Sequence, residues 1–127
     1  MILVIGGAYQ GKKEFAMRQF GIEAEKIADG AAADVMGTLS EHAAVCDYQL
    51  RIRRQIEAGL DPEEEFRRLI AGNRKICIIA DEIGSGLIPM ERAERDYREA
   101  AGRTLCLAAK EADEVWRVVC GIGQRIK

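Results

Sequence analysis

The chain has 127 residues, a length typical of one domain, and its 19 Lys and Arg stand against 21 Asp and Glu for a net charge of −2. So even a balance argues against general electrostatic binding to nucleic acid or to an anionic membrane surface, each of which needs a basic excess. It does not exclude one phosphate-bearing small molecule held at a local site. Hydrophobic residues make up 48% and charged residues 31%, a globular rather than a disordered mixture.

Residues 1–5 are an unbroken apolar run closed by glycine and read as a strand buried on both faces, as in a parallel sheet. Residues 6–11 form a glycine-bounded turn, and 12–20 a helix. A short strand is expected over 25–28, helix within the Ala-rich stretch 31–42, and the next strand over 43–46. From Asp47 the pattern turns helical, with Leu50, Ile52 and Ile56 apolar and Arg51, Arg53, Arg54 and Gln55 polar, until Gly59 stops it. Asp61-Pro62 starts another helix, Asp as N-cap and Pro in the first turn. Glu63-Glu64-Glu65 and then Arg67-Arg68 suit its dipole and read as a solvated face. Gly72-Asn73 ends it. Residues 75–80 are the strongest strand, followed by a Gly84-Ser85-Gly86 loop closed by Pro89. A long helix over 91–111 carries an apolar stripe at Ala93, Tyr97, Ala101, Leu105, Ala108 and Ala112. Gly102 lies within that helix and is read as a point of close approach by another backbone. The last strand is 115–120, and Gly121-Ile122-Gly123 a closing turn. Continuous apolar strands alternating with helices predict a three-layer α/β domain with a mostly parallel sheet, one unit over 1–127.

The longest apolar run, 76–80, is far short of the ~20 residues that span a bilayer. The N-terminus lacks the basic flank and cleavage-like end of a secretory signal, so a cytoplasmic protein is expected. Cys46, Cys77, Cys106 and Cys120 are scattered, with no Cys-x-x-Cys pair. With one histidine in the chain, no zinc site of the usual spacing exists. The cysteines read as buried free thiols.

Two stretches carry chemistry. Gly6-Gly7-Ala8-Tyr9-Gln10-Gly11-Lys12-Lys13 follows a strand, precedes a helix and has the G-x-x-x-x-G-K spacing of a phosphate-binding loop. Glycines let the backbone N–H groups turn inward, the helix N-terminus adds its positive end, and the Lys12 ammonium reaches the terminal phosphates. The residue after that lysine is ordinarily Ser or Thr, whose hydroxyl ligates Mg²⁺, and here it is Lys13. Either Lys13 is the first solvated residue of the helix, or it stands in for part of the metal's charge. The second stretch is the strand ending in Asp81-Glu82. An acid pair there is the usual partner of such a loop, Asp81 for a metal and Glu82 to orient or deprotonate a nucleophile.

Beyond the acid pair the chain reads Glu82, Gly84, Gly86, Pro89, Arg92, Arg95, Gly102-Arg103, Ala112-Asp113-Glu114-Val115, Val118-Val119, Gly121-Ile122 and Ile126-Lys127. With the opening through Gly6-Gly7-Ala8 and Gly11-Lys12, this closely resembles the CobU-type adenosylcobinamide kinase/adenosylcobinamide-phosphate guanylyltransferases. The resemblance covers about half the chain, at both ends. It implies a RecA-like P-loop NTPase fold, a homo-oligomer (usually a homotrimer), and nucleotide and corrinoid as small-molecule partners, with no nucleic acid or membrane. It implies ATP or GTP as phosphoryl donor to the hydroxyl of adenosylcobinamide, followed by GMP transfer from GTP through a histidine adduct. Three departures bear on this. Lys13 replaces the family's Ser, which weakens Mg²⁺ binding. Asp81 replaces its usual Asn. The segment holding the guanylylated histidine is missing, and the only histidine, His42, does not match that motif. Asp47, past the 43–46 strand, corresponds to an acid the family places at the end of its middle strand. The expectation is therefore a cobalamin-biosynthesis kinase in which Lys12 and Glu82 are catalytic. The alternative is a catalytically weak or inactive nucleotide- or corrinoid-binding relative.

Overall fold

The apolar N-terminal run becomes an inner strand. In this computed structural model, which describes residues 1–32, 34, 37, 39–83 and 91–127, β1 (Ile2–Gly6) lies between β4 (Cys77–Asp81) and β5 (Glu114–Val119), parallel to both. β2 (Ile27–Asp29) and β3 (Ala44–Cys46) extend the sheet on the β4 side, and β6 (Ile122–Arg125) closes it beyond β5. The six-stranded order is β2-β3-β4-β1-β5-β6, parallel except for the β5–β6 hairpin. The helices that follow β1 and β4, neighbours in the sheet, lie on opposite faces. In open α/β sheets, ligands bind outside the carboxyl ends of strands near such a switch point.

Successive strand residues point to opposite faces, and each face has its own core. Leu3, Val45, Ile78 and Ala80 pack with α2 (Tyr48–Glu57), α3 (Pro62–Gly72) and α4 (Arg92–Glu111) through Tyr48, Ile52, Phe66, Tyr97 and Ala101. Val4, Ala44, Cys77, Ile79 and Val118 pack with α1 (Lys12–Phe20) through Phe15 and Ala16. This is the α/β architecture with a mostly parallel sheet that the alternation predicts.

Several local expectations are corrected. The described residues of 31–42 take turns and bends rather than helix, because Asp29 diverts the backbone: its Oδ1 accepts from Ala31 N at 2.9 Å and its carbonyl from Ala32 N at 3.1 Å. His42 is therefore not helical. The early strand begins at Ile27, after a 3-10 turn over Ala24–Lys26. Gly121-Ile122-Gly123 is no terminal turn: the chain reverses at Cys120-Gly121 and continues as β6. On α2 the apolar and polar assignments partly exchange. Arg51 and Gln55 are buried whereas Leu50 is exposed, and Arg51 donates to the carbonyls of Asp34 (2.8 Å) and Gly37 (3.1 Å). Ala93 is exposed, so the α4 stripe begins at Tyr97. A Cβ added at Gly102 would meet open space, so among the described residues no other backbone approaches it closely. Cys106 and Cys120 are exposed; Cys77 alone is fully buried among the free thiols. The Gly84-Ser85-Gly86 loop and Pro89 lie outside the described residues.

Candidate active site

The segment between β1 and α1 is held in its turn by two left-handed residues, Tyr9 (φ 59) and Gly11 (φ 81). Gly6 presses against the sheet so closely that a Cβ there would lie 2.4 Å from the Val118 carbonyl oxygen. The turn between β5 and β6 anchors the loop's middle: Gly121 N donates to the Gln10 carbonyl and Cys120 N to Gln10 Oε1, each at 2.7 Å. Among the described residues no side chain caps the N-terminus of α1. Its first-turn N–H groups and positive dipole end are thus the features that favour an anion here.

Lys12 is buried, with only 8% exposure. Its Nζ donates to the Gly7 carbonyl at 2.7 Å and pairs with Asp81 Oδ1 at 2.6 Å. The ammonium thus sits inside the loop's own curve, steered by the last residue of β4. Strand alternation decides which acid does this. Ile79 faces the α1 side and Ala80 the α4 side, so Asp81 turns toward α1 and Glu82 away from it. Glu82 is engaged elsewhere: Arg117 Nε and a second guanidinium nitrogen reach its two carboxylate oxygens at 2.8 and 3.2 Å. The structure brings Lys12, Lys13, Asp47 and Asp81 to one cleft of about 570 Å³ and leaves Glu82 out of its lining.

Asp47 lies opposite the loop, left-handed (φ 50) at the N-cap of α2. Asp29 and Cys46, at the ends of β2 and β3, join it in the cleft wall. Burial pushes the Cys46 thiol above its ordinary range, Asp47 adds to the rise, and Lys13 opposes it. Gln49, which the sequence reading passed over, is buried and ties these parts together. Its Oε1 accepts from Asp81 N at 3.0 Å and its carbonyl from the Tyr97 hydroxyl at 2.9 Å. Nothing in its local sequence marks it. Asp29 could have been found as an acid ending a parallel strand, where ligands gather.

A metal ion at the usual loop position fits these residues poorly. Lys13 has no oxygen to give, and Asp81 already holds the Lys12 ammonium. A divalent ion ~4 Å from one ammonium would be opposed by about 8 kcal/mol at an effective dielectric of about 20. Asp29, Cys46 and Asp47 do bring their ligand atoms within 4.8 Å of one another, but two of the three are exposed acids, which often gather without an ion.

Residues 35–126 match the family described as cobinamide kinase / cobinamide phosphate guanyltransferase. The bifunctional adenosylcobalamin biosynthesis protein CobU of Salmonella typhimurium is 41% identical over 69 residues, 51% of this chain and 38% of the relative. Its namesake from Escherichia coli strain K12 is 43% identical over 67 residues, 50% of this chain and 37% of the relative. The matched stretch thus spans well under half the length of either curated relative.

Proposed function

The chain belongs to the cobinamide kinase / cobinamide phosphate guanyltransferase family, and we propose that it binds ATP or GTP along residues 6–13 and transfers the terminal phosphoryl group to the hydroxyl of adenosylcobinamide. The observation that carries this reading is the buried Lys12 ammonium, held within the loop by Gly7 and Asp81. Together with the uncapped α1 N-terminus it supplies a positive charge and a set of N–H donors for the β- and γ-phosphates. Exchanging Asp81 for phosphate oxygens lets Lys12 stabilise the charge that grows on the leaving oxygen during transfer. The bond from the terminal phosphorus to the β-phosphate oxygen breaks, and one from that phosphorus to the acceptor oxygen forms. The acceptor's proton passes to a carboxylate in the cleft. We assign this role to Asp47, which lines the same cleft. Glu82, bound at both oxygens by Arg117, serves as a brace between β4 and β5. We assign no guanylyl transfer, since His42 lies outside the cleft lining.

Purified protein incubated with adenosylcobinamide and either nucleotide is expected to yield a corrinoid heavier by one phosphoryl group in mass spectrometry. Unchanged corrinoid with intact nucleotide binding would favour the second reading, a binding protein of low turnover. The engagement of Glu82 by Arg117 is the observation behind that alternative. The family resemblance further supports a homo-oligomer, a trimer by the family's habit. Val119 (52% exposed) and Ile122 (75%) at the β5–β6 turn, with Ile126 (55%) beyond it, offer apolar surface for one. Sedimentation should give a mass of three chains; a monomer at working concentration would remove this part.

A further inference from the structure

Lys13 sits in the first turn of α1, exposed yet lining the cleft. Its charge is felt by the Cys46 thiol at the end of β3, across the cleft from the loop. As a lining residue the ammonium adds its charge to the cleft while standing at the solvated start of the helix. The neighbouring ammonium, Lys12, is fixed by Gly7 and Asp81. Two adjacent cations thus stand where a phosphate-binding loop ordinarily presents one ammonium and one metal-ligating hydroxyl. An ammonium offers three donors, enough to bridge oxygens of neighbouring phosphates. Four carboxylates, Glu14, Asp29, Asp47 and Asp81, line the same cleft and offset the two ammonium charges when no anion is bound.

We propose that this loop takes its nucleoside triphosphate without a divalent cation, the Lys13 ammonium neutralising phosphate charge that a metal ion would otherwise carry. The proposal rests on the phosphate-site reading above and adds the ionic form of the ligand: the free polyphosphate rather than its Mg²⁺ complex.

Calorimetry of the full chain with GTP and with ATP, in excess EDTA and in millimolar Mg²⁺, tests it. The dissociation constant is expected to agree within about three-fold between the two conditions. Lys13→Ser should weaken binding in EDTA by about ten- to a hundred-fold, the worth of one charge-assisted contact, and recover part of that loss in Mg²⁺. Lys13→Arg should stay close to the parent. Because the side chain is exposed, these variants should keep the parent's circular dichroism, so lost binding is not lost fold. A parent chain that loses more than about ten-fold in affinity on chelation overturns the proposal, as does a Lys13→Ser variant equal to the parent in EDTA. Absence of binding in both conditions instead overturns the phosphate site itself, and the inference with it.

Discussion

Lys12 is one of the few charged side chains buried among the described residues, and burial of an ammonium is tolerable only when it is paired and hydrogen-bonded. Asp81 and the Gly7 carbonyl meet that need, and phosphate oxygens would meet it in their place. Lys12→Ala should therefore weaken nucleotide binding by about 1.5–3 kcal/mol, read as a dissociation constant; an unchanged constant would remove the phosphate site. Two glycines make a contrasting pair at the same scale. A methyl at Gly6 would collide with the Val118 carbonyl, a backbone group that cannot swing aside. Gly6→Ala should cost about 1–3 kcal/mol in denaturant unfolding. Gly102 has nothing within 4 Å of an added Cβ and sits inside α4. Gly102→Ala should stabilise by about 0.5–1 kcal/mol, through helix propensity and a less disordered unfolded chain. A destabilised Gly102→Ala protein would mean that a second surface does pack there.

Among the elements, α3 shows how far local sequence can reach. Asp61 caps it by accepting from Glu63 N at 3.0 Å, and Pro62 fills its first turn, as the Asp-Pro pair predicts. Asp61→Ala should cost about 1 kcal/mol, measured as a shift of the unfolding midpoint at constant slope. The neighbouring α2 shows the limit. Its buried set is Tyr48, Gln49, Arg51, Ile52 and Gln55, a polar selection that no periodicity argument would choose. It is buried because the carbonyls of Asp34 and Gly37 accept from Arg51, and because β4 ends against Gln49. On its other side Arg53 stacks over the Tyr97 ring at 4.0 Å and grips Glu94 of α4. The β5–β6 turn is a similar case. Read from sequence it is an ending; in the fold it clamps Gln10 and so shapes the phosphate loop.

For the molecule as a whole, two buried acids that must stay neutral set the response to alkali. Burial pushes the Cys77 thiol up to about 12 from an ordinary 9.0, and burial also raises the Tyr48 hydroxyl, which has no hydrogen-bond partner among the described residues. In the unfolded chain both ionise at their ordinary values. Above pH ~9 the folded state therefore binds more protons than the unfolded state, and stability falls as pH rises. The unfolding free energy should be level through neutrality and decline from about pH 9 toward 12; a flat profile across that range would contradict the burial of both groups. Alkylation gives a companion check. Cys106 and Cys120, both exposed, should react in the native protein, and Cys77 only after unfolding.

The sequence by itself determined the strand–helix alternation, the buried parallel character of β1 and β4, the loop spacing from Gly6 to Lys12 and the family to which the chain belongs. Each of these is written in contiguous residues, where side-chain period, glycine placement and helix caps act locally. Tertiary structure alone decided which acid meets Lys12. Asp81 and Glu82 are neighbours of like chemistry, and only the facing of the strand sends one to the loop and the other to Arg117. It likewise decided that Asp29, Asp47 and Gln49 share the cleft with Lys13, because the ends of β1, β2 and β3, distant in the chain, come together along the carboxyl edge of the parallel sheet. Convergence of that kind follows from long-range packing, which leaves no periodic trace in the residues that take part.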